Sequence, residues 1–144
     1  MKTSTVIEVY KALKEAKLTK MESKEKFAVI RIMRAVKPVA EEWDAFLSTV
    51  DEKLRGEGHE EMVAKIQQWQ KEGDNTTLTM EERKEINEYI AKFNAERNEL
   101  INAELAKEVE VSFERISEEA FERFVDSNDM DVNMLTMLSE NICG

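Results

Sequence analysis

Apolar residues recur at helical spacing along most of this chain. From Ser4 onward, Val6, Val9, Tyr10, Leu13 and Ala16 follow one another at intervals of three and four, so one face of a short helix is apolar. Ser4 or Thr5 is placed to cap that helix. The connector LTKMESKE offers Ser23 as a second cap, and a longer stripe follows it. Val29, Ile32, Met33, Val36, Val39, Trp43, Phe46, Leu47, Val50 and Leu54 keep one phase for about seven turns. A helical hairpin over residues 4–55 is predicted. Pro38 lies inside the long helix, where it removes a donor and clashes with the carbonyl of Arg34, so a kink or a break is expected there, and the stripe keeping phase across it favours the kink.

The GEG of Gly56 to Gly58 ends the long helix, because glycine accepts the left-handed conformation common just past a helix end. His59, Met62, Val63, Ile66 and Trp69 then mark a helix over 59–72, closed by the polar EGDNTT turn. Thr79 followed by Glu82 is a capping box and opens a helix over 80–106, with Ile86, Tyr89, Ile90, Phe93, Leu100, Ile101 and Leu105 on its stripe. The two long helices are expected to pack antiparallel through Val36, Trp43, Phe46, Val50, Ile86, Ile90 and Phe93.

The period changes in EVEVSFERI, where Val109, Val111 and Phe113 alternate with Glu110, Ser112 and Glu114. A short strand over 109–115 is predicted, with TSTVIEV, the TTLT of Thr76 to Thr79, or another copy of the chain as its partner. Ser117 then caps the first of the C-terminal helices over 118–142. These carry Phe121, Phe124 and Val125, then Val132, Leu135, Leu138 and Ile142. The expected fold is mainly α: one domain over 1–144, an antiparallel helical bundle with two long helices and a short β-strand near the C-terminus.

Composition agrees with this pattern. The 144 residues suit one domain with its own core, and only four glycines and one proline interrupt a chain rich in helix formers. Hydrophobic residues at 42% and charged residues at 36% argue for a folded chain in water rather than a disordered or membrane-embedded one. No apolar run approaches the roughly 20 residues of a membrane span, and MKTSTVIEVY lacks the apolar core of a signal peptide. A cytoplasmic location is expected. The single Cys143 is read as an incidental thiol near a fraying end.

The net charge of −10 is unevenly spread. Residues 1–40 hold ten Lys/Arg against four Asp/Glu, a net of +6, and the remainder carries −16. Opposite charges of this kind attract within one molecule or between copies.

Candidate chemistry is thin. Asp129, Asp131, Asn133 and Glu140 stand at positions 1, 3, 5 and 12 of a calcium-loop pattern, but Met134 occupies the place of the turn glycine and LTML reads as helix. Asp131 is therefore read as a helix cap. His59 is the only histidine, so multi-histidine zinc sites are excluded. Glu41, Glu42 and Asp44 read as a solvated helix face rather than acid-base catalysts. Lys14, Lys17, Lys20, Lys24, Lys26, Arg31 and Arg34 would form a basic face, yet the acidic total opposes phosphate binding. Trp43, Trp69, Phe46 and Phe93 read as core. Met130, Met134 and Met137 offer adaptable apolar surface for a partner. No catalytic, cofactor-binding or metal-binding residue is assigned.

Taken in order, VYKALKEAKLTKMESKEKFAVIRIMRAVKPVAEEWDAF, a polar turn and EINEYIAKFNAERNELINAELAKEVEVSFERI resemble small phage and prophage proteins of uncharacterised function. The likeness is one of arrangement over residues 9 to 125: a short helix, a Lys-rich turn, a long helix and a helix leading into an E-V-E-V segment. Pro38 departs from it. The resemblance implies a non-catalytic structural or assembly role in phage morphogenesis, in the host cytoplasm or the virion. The residues themselves offer no cofactor site, and self-association or docking on a protein partner is expected through the strand at Val109 to Phe113 together with the C-terminal Met/Leu helix. The alternatives left by the residues are a carboxylate- or metal-dependent enzyme and a nucleic-acid-binding accessory protein.

Overall fold

A computed structural model describes residues 1–144. Six α-helices follow one another: α1 (Thr3–Glu15), α2 (Ser23–Leu54), α3 (His59–Glu72), α4 (Met80–Leu105), α5 (Glu118–Ser127) and α6 (Val132–Ile142). One 3-10 turn, Gly73–Asn75, links α3 to the loop before α4. No helix is long and apolar enough to cross a membrane. The chain divides into two compact units, the first from Met1–Ala45 with Leu105–Gly144 and the second from Phe46–Glu104.

The first unit holds the larger core. Val6, Val9 and Leu13 of α1 meet Val29, Ile32 and Val36 of α2, Phe124 of α5, and Leu138 and Ile142 of α6. Most of these side chains are fully removed from water, each contributing roughly 1.5–3 kcal/mol of transfer free energy. α2 runs through Pro38 without a break. Pro38 and Arg34 are both exposed, so the carbonyl that loses its partner faces solvent, where water can satisfy it.

Helix starts depart in part from the expected caps. α1 begins at Thr3, and neither Ser4 nor Thr5 caps it: the Thr3 N–H and hydroxyl both donate to the carbonyl of Lys107, at 2.9 and 3.0 Å. A distant segment thus takes up a donor of the first turn. Ser23 is the first residue of α2 rather than its cap. The Glu22 N–H instead donates to Glu25 Oε1 at 2.9 Å, which is one half of a capping box. Ser117 and Asp131 cap α5 and α6 as expected, accepting from the N–H groups of Ala120 and Met134.

The strand over 109–115 is not formed. That segment is extended, but only isolated bridges flank it, Lys2 with Glu108 and Ile116 with Cys143. Its alternation is genuine: Val109, Val111 and Phe113 are half-buried against the core while Glu110, Ser112 and Glu114 are exposed. A strand requires a ladder of backbone hydrogen bonds as well as a two-sided environment. Neither segment with strand-forming residues can supply one here, because TSTVIEV is helical and Thr76 to Thr79 is loop. The extended chain is fastened at its ends instead. Val109 N–H donates to Met1 O at 2.8 Å, Ile116 N–H to Ile142 O at 2.9 Å, and Gly144 N–H to Ile116 O at 3.1 Å. The C-terminus, expected to fray, is held by these bonds.

In the second unit, three side-chain contacts tie α4 to the end of α2 and to α3. Asp51 at the end of α2 pairs with Arg97 at 2.8 Å, His59 stacks on Phe93 with ring centroids 5.8 Å apart, and Lys65 reaches Glu82 at 4.0 Å. Positions rise along α2 and α3 while they fall along α4, so the end of α2 and then α3 lie in succession against it. Ile86, buried between Glu82 and Tyr89 on α4, lies among the residues that meet α3, and Asp51 at the end of α2 meets Arg97 further along. Val36 belongs to the core of the first unit, and Ile90 is 38% exposed. The capping box at the start of α4 is complete: Thr79 N–H donates to Glu82 Oε1 at 3.2 Å and Glu82 N–H to Thr79 Oγ1 at 3.1 Å. Gly58, at φ 79°, is the left-handed residue of the GEG turn and stands immediately before α3.

Candidate functional site

The most concentrated polar arrangement lies in the first unit, where α2 and α5 bring opposite charges together. Arg123 grips Glu25 with two hydrogen bonds, Nε to Oε1 at 2.8 Å and Nη2 to Oε2 at 2.6 Å. The planar fork of the guanidinium matches the two carboxylate oxygens, which makes this the strong, geometrically specific form of ion pair. Glu25 is only 6% exposed. The hydrogen bonds from Arg123, and then from the Glu22 N–H, hold its carboxyl down at about 2. Its role is to fasten the start of α2 to α5. Beside it opens a cavity of about 480 Å³ lined by Arg31, Arg115, Glu114, Glu119 and Ser117 among others. Arg115 is already engaged, donating from Nη1 to the carbonyls of Glu140 and Cys143.

Asn128 forms a second fastening. Its side chain accepts from the Lys17 N–H at 2.7 Å and donates to Lys17 O and Phe124 O, both at 2.8 Å. The end of α1 is thereby locked to the end of α5. Next to this lock, α1 and α6 lie side by side and leave two adjoining hollows of about 610 and 390 Å³. Both are lined by Ala12, Glu15, Asp131 and Met134, so they form one continuous groove. Met130 and Met137, singled out in the sequence together with Met134, also line it.

Other residues noted in the sequence fall in separate places. Asp131 Oδ1 accepts from the Met134 N–H at 2.8 Å as the cap of α6. Glu140 lies nine residues further along that helix, roughly 13 Å away at 1.5 Å per residue, so the calcium-loop positions are drawn out along a helix instead of converging. No three His, Cys, Asp or Glu side chains converge as a ligand set anywhere in the chain. His59 Nδ1 meets the hydroxyl of Tyr89, and its ring stacks on Phe93, joining α3 to α4. Glu41, Glu42 and Asp44 are exposed on α2. Cys143 is half-buried, and burial pushes its thiol pKa up.

Three of the seven basic residues noted in the sequence stand among carboxylates. Lys24 and Arg31 share the cavity near Glu25 with Glu22, Glu114 and Glu119, while Lys17 stands in the groove among Asp126, Asp129 and Asp131. The acidic residues 105–144 belong to the same unit as the basic first 40 residues, and that unit carries thirteen Lys/Arg against seventeen Asp/Glu. Sequence reading overlooked Arg123 and Asn128, because their partners lie 98 and 111 residues away. The one local signal was Glu25, three residues after the position that caps α2.

Comparison of the chain with protein-family models, with curated proteins and with solved structures gives no match in any of the three.

Proposed function

We propose that this chain is a non-catalytic interaction protein with a structural or assembly role, of the kind implied by its resemblance to phage and prophage proteins. The observation that carries this reading is the apolar surface of the second unit. Its buried side chains are Val50, Leu78 and Ile86 alone, and α3 buries none. Met80 is 80% exposed, Ile90 and Leu100 are partly exposed, and Met80 shares an open hollow with Trp69 and Ala91. A layer of helices this thin gains little from its own packing, and exposed apolar area of this kind marks a contact surface. Arg83, Lys84 and Glu88 beside Met80 mix both signs of charge, so a second copy meets no one-signed field there. In this reading the antiparallel bundle expected from the sequence is completed by a partner on α3 and α4. Such a protein works in the host cytoplasm and in the assembling particle.

Sedimentation velocity over a range of protein concentrations tests the reading. The intact chain should associate at micromolar concentration, and Met80→Lys should return it to monomer. A chain that is monomeric throughout, and unaffected by Met80→Lys, would remove the support for it.

A further inference from the structure

The groove between α1 and α6 combines an apolar floor with a rim in which carboxylates outnumber lysines. Glu8, Lys11, Ala12 and Glu15 are spaced by three, one and three residues, so they line a single face of α1. Met134 and Met137 of α6 face them across the groove, and both are half-buried. At the far end the turn between α5 and α6 adds Asp126 and Asp129, with the capping Asp131 between the two hollows. Five carboxylates, counting Glu8 and Glu15, thus surround the methionine floor, against Lys11 and Lys17.

We propose that this groove is a docking site for a basic amphipathic helix of a partner protein. Methionine side chains are flexible and polarizable, so they adapt to apolar knobs of differing shape, which is the property a helix-binding groove needs. Glu8 and Glu15 are seven residues apart on α1, about 10.5 Å at 1.5 Å per residue. A helical ligand places its own residues i and i+7 at that spacing, so Lys or Arg two turns apart would meet both carboxylates. The apolar residues between them would reach Met134 and Met137. A second copy of this chain is a poorer occupant: its net charge of −10 repels the acidic rim, and its basic residues are interleaved with carboxylates. This surface lies in the first unit and is independent of the Met80 contact.

The probe is a fluorescein-labelled Leu/Lys peptide of ~18 residues, five turns, ordered to be amphipathic at helical period. A peptide of the same composition with Leu and Lys strictly alternating is the control. Fluorescence anisotropy with the full-length chain should show the helical peptide binding at least about tenfold more tightly, a difference of about 1.4 kcal/mol, with affinity falling as salt rises. The double variant Glu8→Lys, Glu15→Lys should lose about tenfold or more of that affinity. Both side chains are exposed, so its thermal unfolding should be unchanged. Equal binding of the two peptides would mean charge attraction alone and would overturn the inference. So would unaltered binding by the double variant. Self-association abolished by the double variant but not by Met80→Lys would assign the groove to a second copy instead. Loss of peptide binding alone leaves the Met80 contact standing, and a failed Met80 test leaves the groove standing.

Discussion

Phe124 is the largest fully buried side chain, and its removal gives a sharp test of the packing. It is fully buried, lies against Phe121 with ring centroids 5.8 Å apart, and belongs to the core that α1, α2 and α6 share. Phe124→Ala deletes a whole ring from a position enclosed by helices, which relax only partly into the space. Lost transfer free energy and the residual cavity together should cost about 3–5 kcal/mol. Against the 5–15 kcal/mol that stabilises a typical domain, that is a large fraction. At roughly 3 °C per kcal/mol for a chain of this length, Tm should fall by about 10–15 °C. Phe27→Ala is the matched control, because Phe27 is 55% exposed and should change stability by no more than about 0.5 kcal/mol. Thermal and urea unfolding followed by far-UV circular dichroism would measure both. Equal shifts for the two variants, or a fall of only a degree or two for Phe124→Ala, would refute the arrangement of α5 against α1, α2 and α6.

Glu25 titrates at about 2 instead of its ordinary 4.5, so the stability it contributes is complete above pH 4.5 and is lost as pH falls from there toward 2. Glu25→Gln should flatten that part of the acid-unfolding profile, and an unchanged profile would show that the Arg123 pair does not govern it. Thr79→Ala breaks the reciprocal cap of α4 and should cost about 1 kcal/mol, seen as faster amide exchange at Glu82 and in the first turn. Because burial raises the Cys143 pKa, a thiol reagent at neutral pH should modify it slowly in the folded protein and much faster in denaturant. Rapid labelling of the native chain would mean that the C-terminus is not held as described.

Helical content and most helix bounds were legible in the sequence, because a repeat of 3.6 residues, a capping box at Thr79 and cap residues at Ser117 and Asp131 are local signals that survive into the folded chain. In the first unit the apolar stripes also identified the core, since Val6, Val9, Leu13, Val29, Ile32 and Val36 are all buried, whereas Trp43, Phe46, Trp69 and Phe93, read as core from the same pattern, are only half-buried. What faces each stripe was not legible. Val36 and Val50 lie on one helix and one stripe, yet they are buried in different units. Period alone cannot distinguish the partners.

The alternation at Val109 to Phe113 shows the same limit from the other side. Two-residue periodicity reports that successive side chains meet core and solvent in turn, and the sequence determined that much. Whether the backbone joins a ladder depends on a neighbouring strand, and only the tertiary structure decides it: the segment runs between the chain ends, bonded to Met1 and Ile142. Charge follows the same rule. The sequence fixes a total of −10 and a basic first 40 residues, but pairing needs proximity, and Glu25 and Arg123 are 98 residues apart until α2 and α5 pack together. Local physics writes the elements into the chain, and long-range contacts of this kind, which leave no local pattern, decide which faces are covered and which remain free for a partner.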